Sequence, residues 1–412
     1  FHVNREKGFF HCFGCGVGGD VFKFLELHGK LGFQESVRLM ASRFGLPVPE
    51  IEMDAGKAAA DAEREELLKL HELAVTYYRE CLTGRLGARA RQQLERRGLA
   101  RQTLETLQLG FAPASREGLK HHLLQHGFSL PQLVRSGLVV QREAGAPIDR
   151  FRNRLMVPIC RESGSIIAFG GRAVEPDQLP KYLNSPETVI YSKGRMLYGL
   201  HLTKAAIRRQ GFAVLVEGYF DFAQALQAGV TTVVASCGTA LSLPQAQLLR
   251  RFATKVILNF DPDAAGAGAS ARSGELLLSQ GFQVNVAVLP AGEDPDTFVR
   301  RQGGARYLEK LRSSLPYLEY LLERTAVEHD FSRDDSRREF LGKMLTVAAC
   351  IPDAATRDQF GDRLAHKARI TEEVVRAEIK KAAVGRRTTV SDRELGARGE
   401  IKTAEKGLIW AL

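Results

Sequence analysis

Glu217-Gly-Tyr-Phe-Asp221, Asp261-Pro-Asp263 and Glu293-Asp-Pro-Asp296 are the residues of this chain best suited to chemistry. Carboxylates ligate hard divalent cations, and several in one crevice repel each other unless such cations neutralise them. Asp261 and Asp263 are two apart, which in extended chain puts both on one face. Pro262 biases Asp261 toward the β or polyproline region. Asp294 and Asp296 repeat the spacing around Pro295. Asp221 falls about one helical turn after Glu217, and Gly218 permits a tight turn between strand and helix. A single Asp-Pro-Asp reads equally well as a turn followed by a helix cap. Together the clusters suit two Mg²⁺ or Mn²⁺ ions, one activating a hydroxyl and one holding a triphosphate, in an in-line displacement. The ligands would be Glu217, Asp221, Asp261, Asp263, Asp294 and Asp296, with Glu217, Asp261 and Asp263 nearest the reaction. Whether Glu217 moves a proton or only ligates is left open by residue type.

Each cluster follows an apolar run: Phe212-Ala-Val-Leu-Val216, Lys255-Val-Ile-Leu-Asn-Phe260 and Val284-Asn-Val-Ala-Val-Leu289. Runs this short and apolar predict buried strands. Glu217 and Asp261 are 44 residues apart, Asp261 and Asp294 33, each about one strand–helix unit. Such alternation predicts a mostly parallel sheet with its site at the carboxyl ends of the strands.

Upstream the chain is basic. Residues 140–210 hold 12 Lys/Arg against 6 Asp/Glu. Arg offers planar, bidentate recognition of phosphates. Arg150, Arg152 and Arg154 alternate, so a strand would point all three the same way. Arg172, Lys181 and Lys193 add charge, Tyr182 can stack or hydrogen-bond, and Asn184 lies beside it. Each of these could instead sit in a surface salt bridge. The whole chain carries +10 with a pI near 9.4, which suits a polyanionic partner. A basic surface leading into an acidic metal site is what a nucleic-acid polymerase or nuclease requires.

Of six cysteines, Cys81, Cys160, Cys237 and Cys350 are scattered among mostly apolar neighbours and read as reduced thiols of a cytoplasmic protein. Cys12-Phe-Gly-Cys15 is half of a four-ligand zinc site, or a redox pair. No run approaches the length of a membrane helix, so no membrane role is expected.

At 412 residues several domains are expected. Residues 1–50 read as a hairpin followed by two helices, 51–64 as a small polar linker, and 65–211 as a helical stretch passing into short strands. Residues 212–303 are the strand–helix alternation, 304–384 a helical subdomain, and 385–412 a polar tail in which a helix begins at Gly407. The chain starts at Phe1, within a motif, and is expected to be a fragment.

The acidic stretches, with Phe260-Asp-Pro-Asp-Ala-Ala-Gly266 and Gly292-Glu-Asp-Pro-Asp-Thr-Phe-Val299, resemble the TOPRIM domain of bacterial replicative primases of the DnaG type. That family often has Gly where Pro262 stands. Asp149-Arg-Phe-Arg-Asn-Arg154, Phe169-Gly-Gly-Arg172, Pro180-Lys-Tyr-Leu-Asn-Ser-Pro186 and Tyr191-Ser-Lys193 resemble the same family's basic region. The aromatic hairpin around Cys12 and Cys15 resembles the second half of its zinc ribbon. The likeness covers nearly the whole chain. It implies a multidomain α/β and α+β protein: a truncated zinc ribbon, a basic α+β subdomain, a TOPRIM-type mostly parallel sheet flanked by helices, and a C-terminal helical subdomain. The implied activity is synthesis of short RNA primers on single-stranded DNA from ribonucleoside triphosphates. Arg152, Arg154, Lys181, Tyr182, Asn184 and Lys193 would line the groove for template, nucleotide and the RNA–DNA hybrid. Zinc is implied for the intact protein and impaired here, because the family's other two ligands precede Phe1. A replicative helicase is the implied partner, with most of its docking domain, from Gly407 onward, missing. A topoisomerase, a nuclease or a catalytically decayed single-strand-binding module are the alternatives.

Overall fold

In the computed structural model the described residues are 1–4, 8–14, 17–29, 33–44, 55–142, 145–237, 240–260 and 264–387. They divide into two units, Phe1–Glu63 and Arg64–Leu412. Asp261, Asp263 and Cys15, and the tail from 388, lie outside the described residues.

The first unit is larger than a hairpin. Strands β1 (His2–Asn4), β2 (Phe9–His11) and β3 (Gly18–Asp20) form an antiparallel sheet in the order β1-β2-β3. Helices α1 (Val21–Gly29) and α2 (Phe33–Arg43) follow. Asp20 caps α1 by accepting from Lys23 N at 2.8 Å. Phe1, Phe10 and Phe24 cluster, with centroids 5.4–6.0 Å apart. Residues 55–63, read from sequence as linker, are the opening turns of α3 (Ala55–Thr83).

Among the described residues, the second unit contains a four-stranded sheet, a five-stranded sheet and a two-stranded ladder. Helices α4 (Ala88–Arg96) and α5 (Arg101–Thr106) precede β4 (Gly110–Ala112), and α6 (Gly118–Gln125) and α7 (Leu130–Arg135) follow it. Strands β5 (Val139–Val140) and β6 (Ile148–Asp149) form a two-stranded ladder. Strands β7 (Arg154–Cys160), β8 (Ile166–Ala173) and β9 (Tyr182–Asn184) join β4 in an antiparallel sheet ordered β4-β7-β8-β9. One face of this sheet packs Met156 and Phe169 against Leu70, Ala74 and Tyr78 of α3. The other packs Leu155, Val157 and Ile167 against the next layer.

That layer is the parallel sheet. Helix α8 (Leu200–Gln210) leads into β10 (Phe212–Val216), α9 (Tyr219–Gln227), β11 (Val233–Ala235), α10 (Leu243–Arg250) and β12 (Lys255–Leu258). Then come α11 (Ala264–Ser279), β13 (Gln283–Val286), α12 (Pro295–Gln302), α13 (Gly304–Arg312) and the antiparallel edge β14 (Leu315–Pro316). The order is β11-β10-β12-β13-β14, parallel through β13. Ala213 and Leu215 point into one core cluster and Val214 and Val216 into another, so the sheet is covered on both faces. A strand apolar at every position is what such burial demands. Helices α14 (Tyr317–Val327), α15 (Asp334–Ala348), α16 (Ala354–Ala368) and α17 (Glu372–Arg387) complete the unit, with Phe340, Leu364 and Val375 packed into the first of those clusters. Among the described residues no helix is long and apolar enough to cross a membrane.

Candidate active site

The strands that precede the three acidic segments in sequence, β10, β12 and β13, are neighbours in the sheet. Leu215 pairs with Leu258, and Leu258 with Val286, so β10, β12 and β13 run in step toward their carboxyl ends. The run 212–216 coincides with β10, whereas the runs 255–260 and 284–289 extend two and three residues past the ends of β12 and β13. Asn259, immediately after β12, is fully buried and explains part of the difference. Its Nδ2 donates to Ala287 O at 2.9 Å and its Oδ1 accepts from Tyr307 at 2.7 Å, tying the ends of β12 and β13 to α13.

Asp221 joins two of the clusters. It is the third residue of α9, with Gly218 as the capping position. Its Oδ2 accepts from Gly218 N at 3.0 Å and its Oδ1 from Asp296 N at 3.2 Å. Protein atoms surround the carboxyl closely, and this desolvation pushes it up to about 7. The neighbouring charges of Asp294 and Asp296 add to the rise, while the two N–H donors oppose it.

Asp294 caps α12 through Thr297 N at 2.7 Å, with Pro295 in the first turn. Asp296 is buried in that turn, ion-paired with Arg97 and lying 3.8 Å from Arg300. Glu293 is buried and paired with Arg301 at 3.2 Å. One oxygen of each, Asp296 Oδ1 and Glu293 Oε2, is buried with no hydrogen-bond partner. A buried anionic oxygen without a donor is costly unless a cation serves it. The segments at Glu217–Asp221 and Glu293–Asp296 therefore converge in a form that fits divalent cations. The described residues alone include no group of three or more His, Cys, Asp and Glu placed to hold a metal. Asp261 and Asp263, which follow β12 in sequence, fall outside them.

The basic residues come partly to this edge. Arg172 on β8 faces Tyr182 on β9 in register. Its guanidinium lies 5.7 Å from the Tyr182 ring and 5.1 Å from that of Phe220 on α9. Arg172 Nη1 is buried and unpartnered. Although Tyr182 is 40% exposed overall, protein packed around its hydroxyl raises that group's pKa; Arg97 opposes the rise, and the charges of Asp221, Asp296 and Asp294 add to it, so this phenol faces both kinds of charge. Asn184 Oδ1 accepts from Tyr219 at 2.8 Å. Lys181 is exposed beside Tyr182, and Lys193 is half-buried in a short turn whose backbone N–H reaches Glu187 at 2.8 Å.

The expectation that Arg150, Arg152 and Arg154 alternate along one strand is wrong. The chain adopts positive φ at Asn153 (52°), and β7 begins only at Arg154. Arg154 is buried and donates to Gly171 O at 3.3 Å. Arg152 donates to Asp149 O, and Arg150 to Asn184 O at 3.1 and 3.2 Å. Arg154 thus braces the sheet, and Arg150 positions the strand that carries Tyr182 and Asn184. Sequence reading missed Arg97, Phe220 and Asn259, whose roles exist only through contacts distant in sequence.

In the first unit, Cys12 follows β2 and donates its N–H to Val17 O at 2.7 Å. His2 pairs with His11 across β1 and β2, and His11 Nδ1 is buried without a partner.

A buried parallel sheet with an acidic carboxyl edge, laid against a basic antiparallel sheet, defines a TOPRIM-bearing catalytic core. Family models agree: the CHC2 zinc finger matches residues 1–55, the N-terminal domain of the DNA primase catalytic core 77–204, and a Toprim-like domain 214–299. The DnaB-helicase binding domain of primase matches 318–373. This corrects the expectation that helicase docking begins at Gly407; the match lies in the helices after β14. The DNA primase of Halalkalibacterium halodurans is 38% identical over 370 residues, covering 89% of this chain and 61% of that protein. The Aquifex aeolicus primase structure, comprising zinc-binding and RNA polymerase domains, is 31% identical with a TM-score of 0.66, covering 90% of this chain and 88% of that one. A DnaG primase catalytic domain bound to single-stranded DNA is 33% identical with a TM-score of 0.67, covering 76% and 99%. The chain belongs to the DnaG-type DNA primase family. It spans about three fifths of the length of the curated relatives it matches.

Proposed function

We propose that this chain synthesises RNA primers on a single-stranded DNA template from ribonucleoside triphosphates. The observation that carries the reading is the convergence of Glu217–Asp221 and Glu293–Asp296, with unpartnered buried oxygens, beside Arg172 and Tyr182. In the reaction the growing strand's 3′-oxygen attacks the α-phosphorus of the incoming nucleotide. The bond to the β-phosphate breaks, pyrophosphate leaves, and the hydroxyl proton passes to a base. Glu217, at the end of β10, is the residue to take that proton or to ligate a cation. Glu217, Asp221, Asp261, Asp263, Asp294 and Asp296 are the residues to hold two divalent cations, Mg²⁺ or Mn²⁺. Such cations, when bound, lower the hydroxyl's pKa and neutralise the triphosphate. Asp221 also acts mechanically: it fixes Asp296 relative to Gly218, so the acidic loops keep their spacing. Arg172, with donor capacity unspent inside the site, suits a phosphate oxygen. Lys181, Tyr182 and Lys193 suit template and hybrid, and Asn184 orients Tyr219.

The first unit, through Cys12 and Cys15 where zinc is bound, is suited to selecting the initiation sequence, and residues 318–373 to docking a replicative helicase. The test is RNA synthesis from four ribonucleotides on single-stranded DNA with Mg²⁺ as the variable. Glu217→Gln should abolish synthesis and leave template binding nearly intact. Wild-type rates in that variant, or Mg²⁺-dependent strand cleavage in place of extension, would defeat the assignment.

A further inference from the structure

The guanidinium of Arg97 lies inside the acidic edge, although it belongs to the segment between α4 and α5, 199 residues from its partner Asp296. Arg97 follows the last residue of α4 as its C-cap. Its side chain is 14% exposed and that of Asp296 8%. Helix α9 fixes this segment from one side. Gln224 Nε2 donates to Arg97 O at 2.6 Å and Gln227 Nε2 to Gly98 O at 2.8 Å. Gln227 Oε1 accepts from Ala100 N at 2.7 Å and Thr103 Oγ1 at 2.9 Å. The guanidinium carbon sits 4.4 Å from the Phe220 ring centroid, one residue before Asp221. Arg97 Nε is buried without a partner, so Asp296 does not exhaust its donors.

A segment whose backbone is tied down this firmly, and whose side chain meets both Asp296 and Phe220, serves more than the joining of two layers, which an apolar contact would achieve at lower desolvation cost. They place a permanent positive charge where divalent cations are expected. We propose that Arg97 is a positioning residue that sets the divalent-cation affinity of the acidic edge. It holds the Asp296 carboxylate in place and repels a cation arriving there, keeping cation binding weak until a triphosphate brings further negative charge. The proposal rests on the reading of this edge as a cation site.

Mn²⁺ titration of the chain by calorimetry, without nucleotide or DNA, tests it. Removing a fixed charge beside a partly buried site should tighten Mn²⁺ binding by about tenfold in Arg97→Gln, while Arg97→Lys, which keeps the charge, should stay within about twofold of wild type. Equal or weaker binding in Arg97→Gln overturns the proposal, since loss of a merely structural bridge lowers stability without tightening a cation. Should Arg97→Gln fail to fold, the wild-type chain still answers. The Arg97 ¹⁵Nε resonance, assigned against Arg97→Lys, should move during a Mg²⁺ titration with the midpoint of the binding isotherm, and a resonance that stays still overturns the proposal. Absence of Mn²⁺ uptake by the wild-type chain would remove the cation site and this proposal with it. Uptake that Arg97→Gln leaves unchanged would remove the proposal alone.

Discussion

At the scale of the residue, burial decides what each titratable group can do. His71 on α3 is fully buried, stacked 5.7 Å from Phe169, and its Nδ1 donates to Leu67 O at 2.7 Å. Its Nε2 has no partner, so the ring is held neutral, and burial lowers its pKa from 6.5 to about 4. A depressed folded-state value means the unfolded chain binds the extra proton first. The contribution is fully present above pH 6.5 and is lost as pH falls toward 4, by roughly 3 kcal/mol in all. Between pH 7 and pH 4.5 the urea midpoint should therefore fall by less, or rise by more, in His71→Phe than in wild type; an identical change in the two would assign the acid sensitivity elsewhere. Asp149 has the opposite sign. Burial raises it to about 6, against N–H donation from Leu119 and Lys120 at 2.9 Å and the charges of Lys120 and Arg152. That group costs stability as pH rises from its unfolded value through 6. The two effects partly cancel between pH 4 and 6, so the variant must be compared with wild type and not judged by its own profile.

At the scale of the element, much was legible because strand and acid lie close in sequence. Short apolar runs followed by carboxylates mark β10, β12 and β13; β10 is apolar at every position because it is buried on both faces, and β12 and β13 keep enough apolar residues to stand out. Arg150, Arg152 and Arg154 were misplaced because alternation presumes extended chain, and the turn at Asn153 breaks it. Arg97 carried no local signal at all, because its partner Asp296 lies 199 residues away. Gly170 shows a constraint of the same non-local kind. A Cβ there would lie 2.6 Å from the ring of Tyr219, whose hydroxyl reaches Asn184 on the facing strand. Gly170→Ala should cost about 1–3 kcal/mol by overpacking and push Tyr219 off Asn184. Thermal unfolding would read the first effect and template affinity the second. Unchanged values for both would mean the sheet yields easily at this point.

At the scale of the whole molecule, the chain carries a formal charge of +10, which favours a polyanionic partner. Template binding should fall steeply with salt, as phosphate contacts displace counterions. Lys181→Ala should weaken binding on all sequences alike and reduce the slope of log K against log salt by about 1. A fluorescence-anisotropy series across salt concentrations measures it, and an unaltered slope would take Lys181 out of the interface.

The hydrogen bond from Asp296 N to Asp221 and the charge pair from Asp296 to Arg97 bear on portability. The parallel sheet looks like a self-contained cassette, yet a graft cut at 211 would leave Asp296 buried without its guanidinium and Tyr219 without Asn184. Recombination between relatives would conserve this edge only if α4, β9 and α9 travelled with the strands, so the unit of inheritance is wider than the sheet that bears the acids.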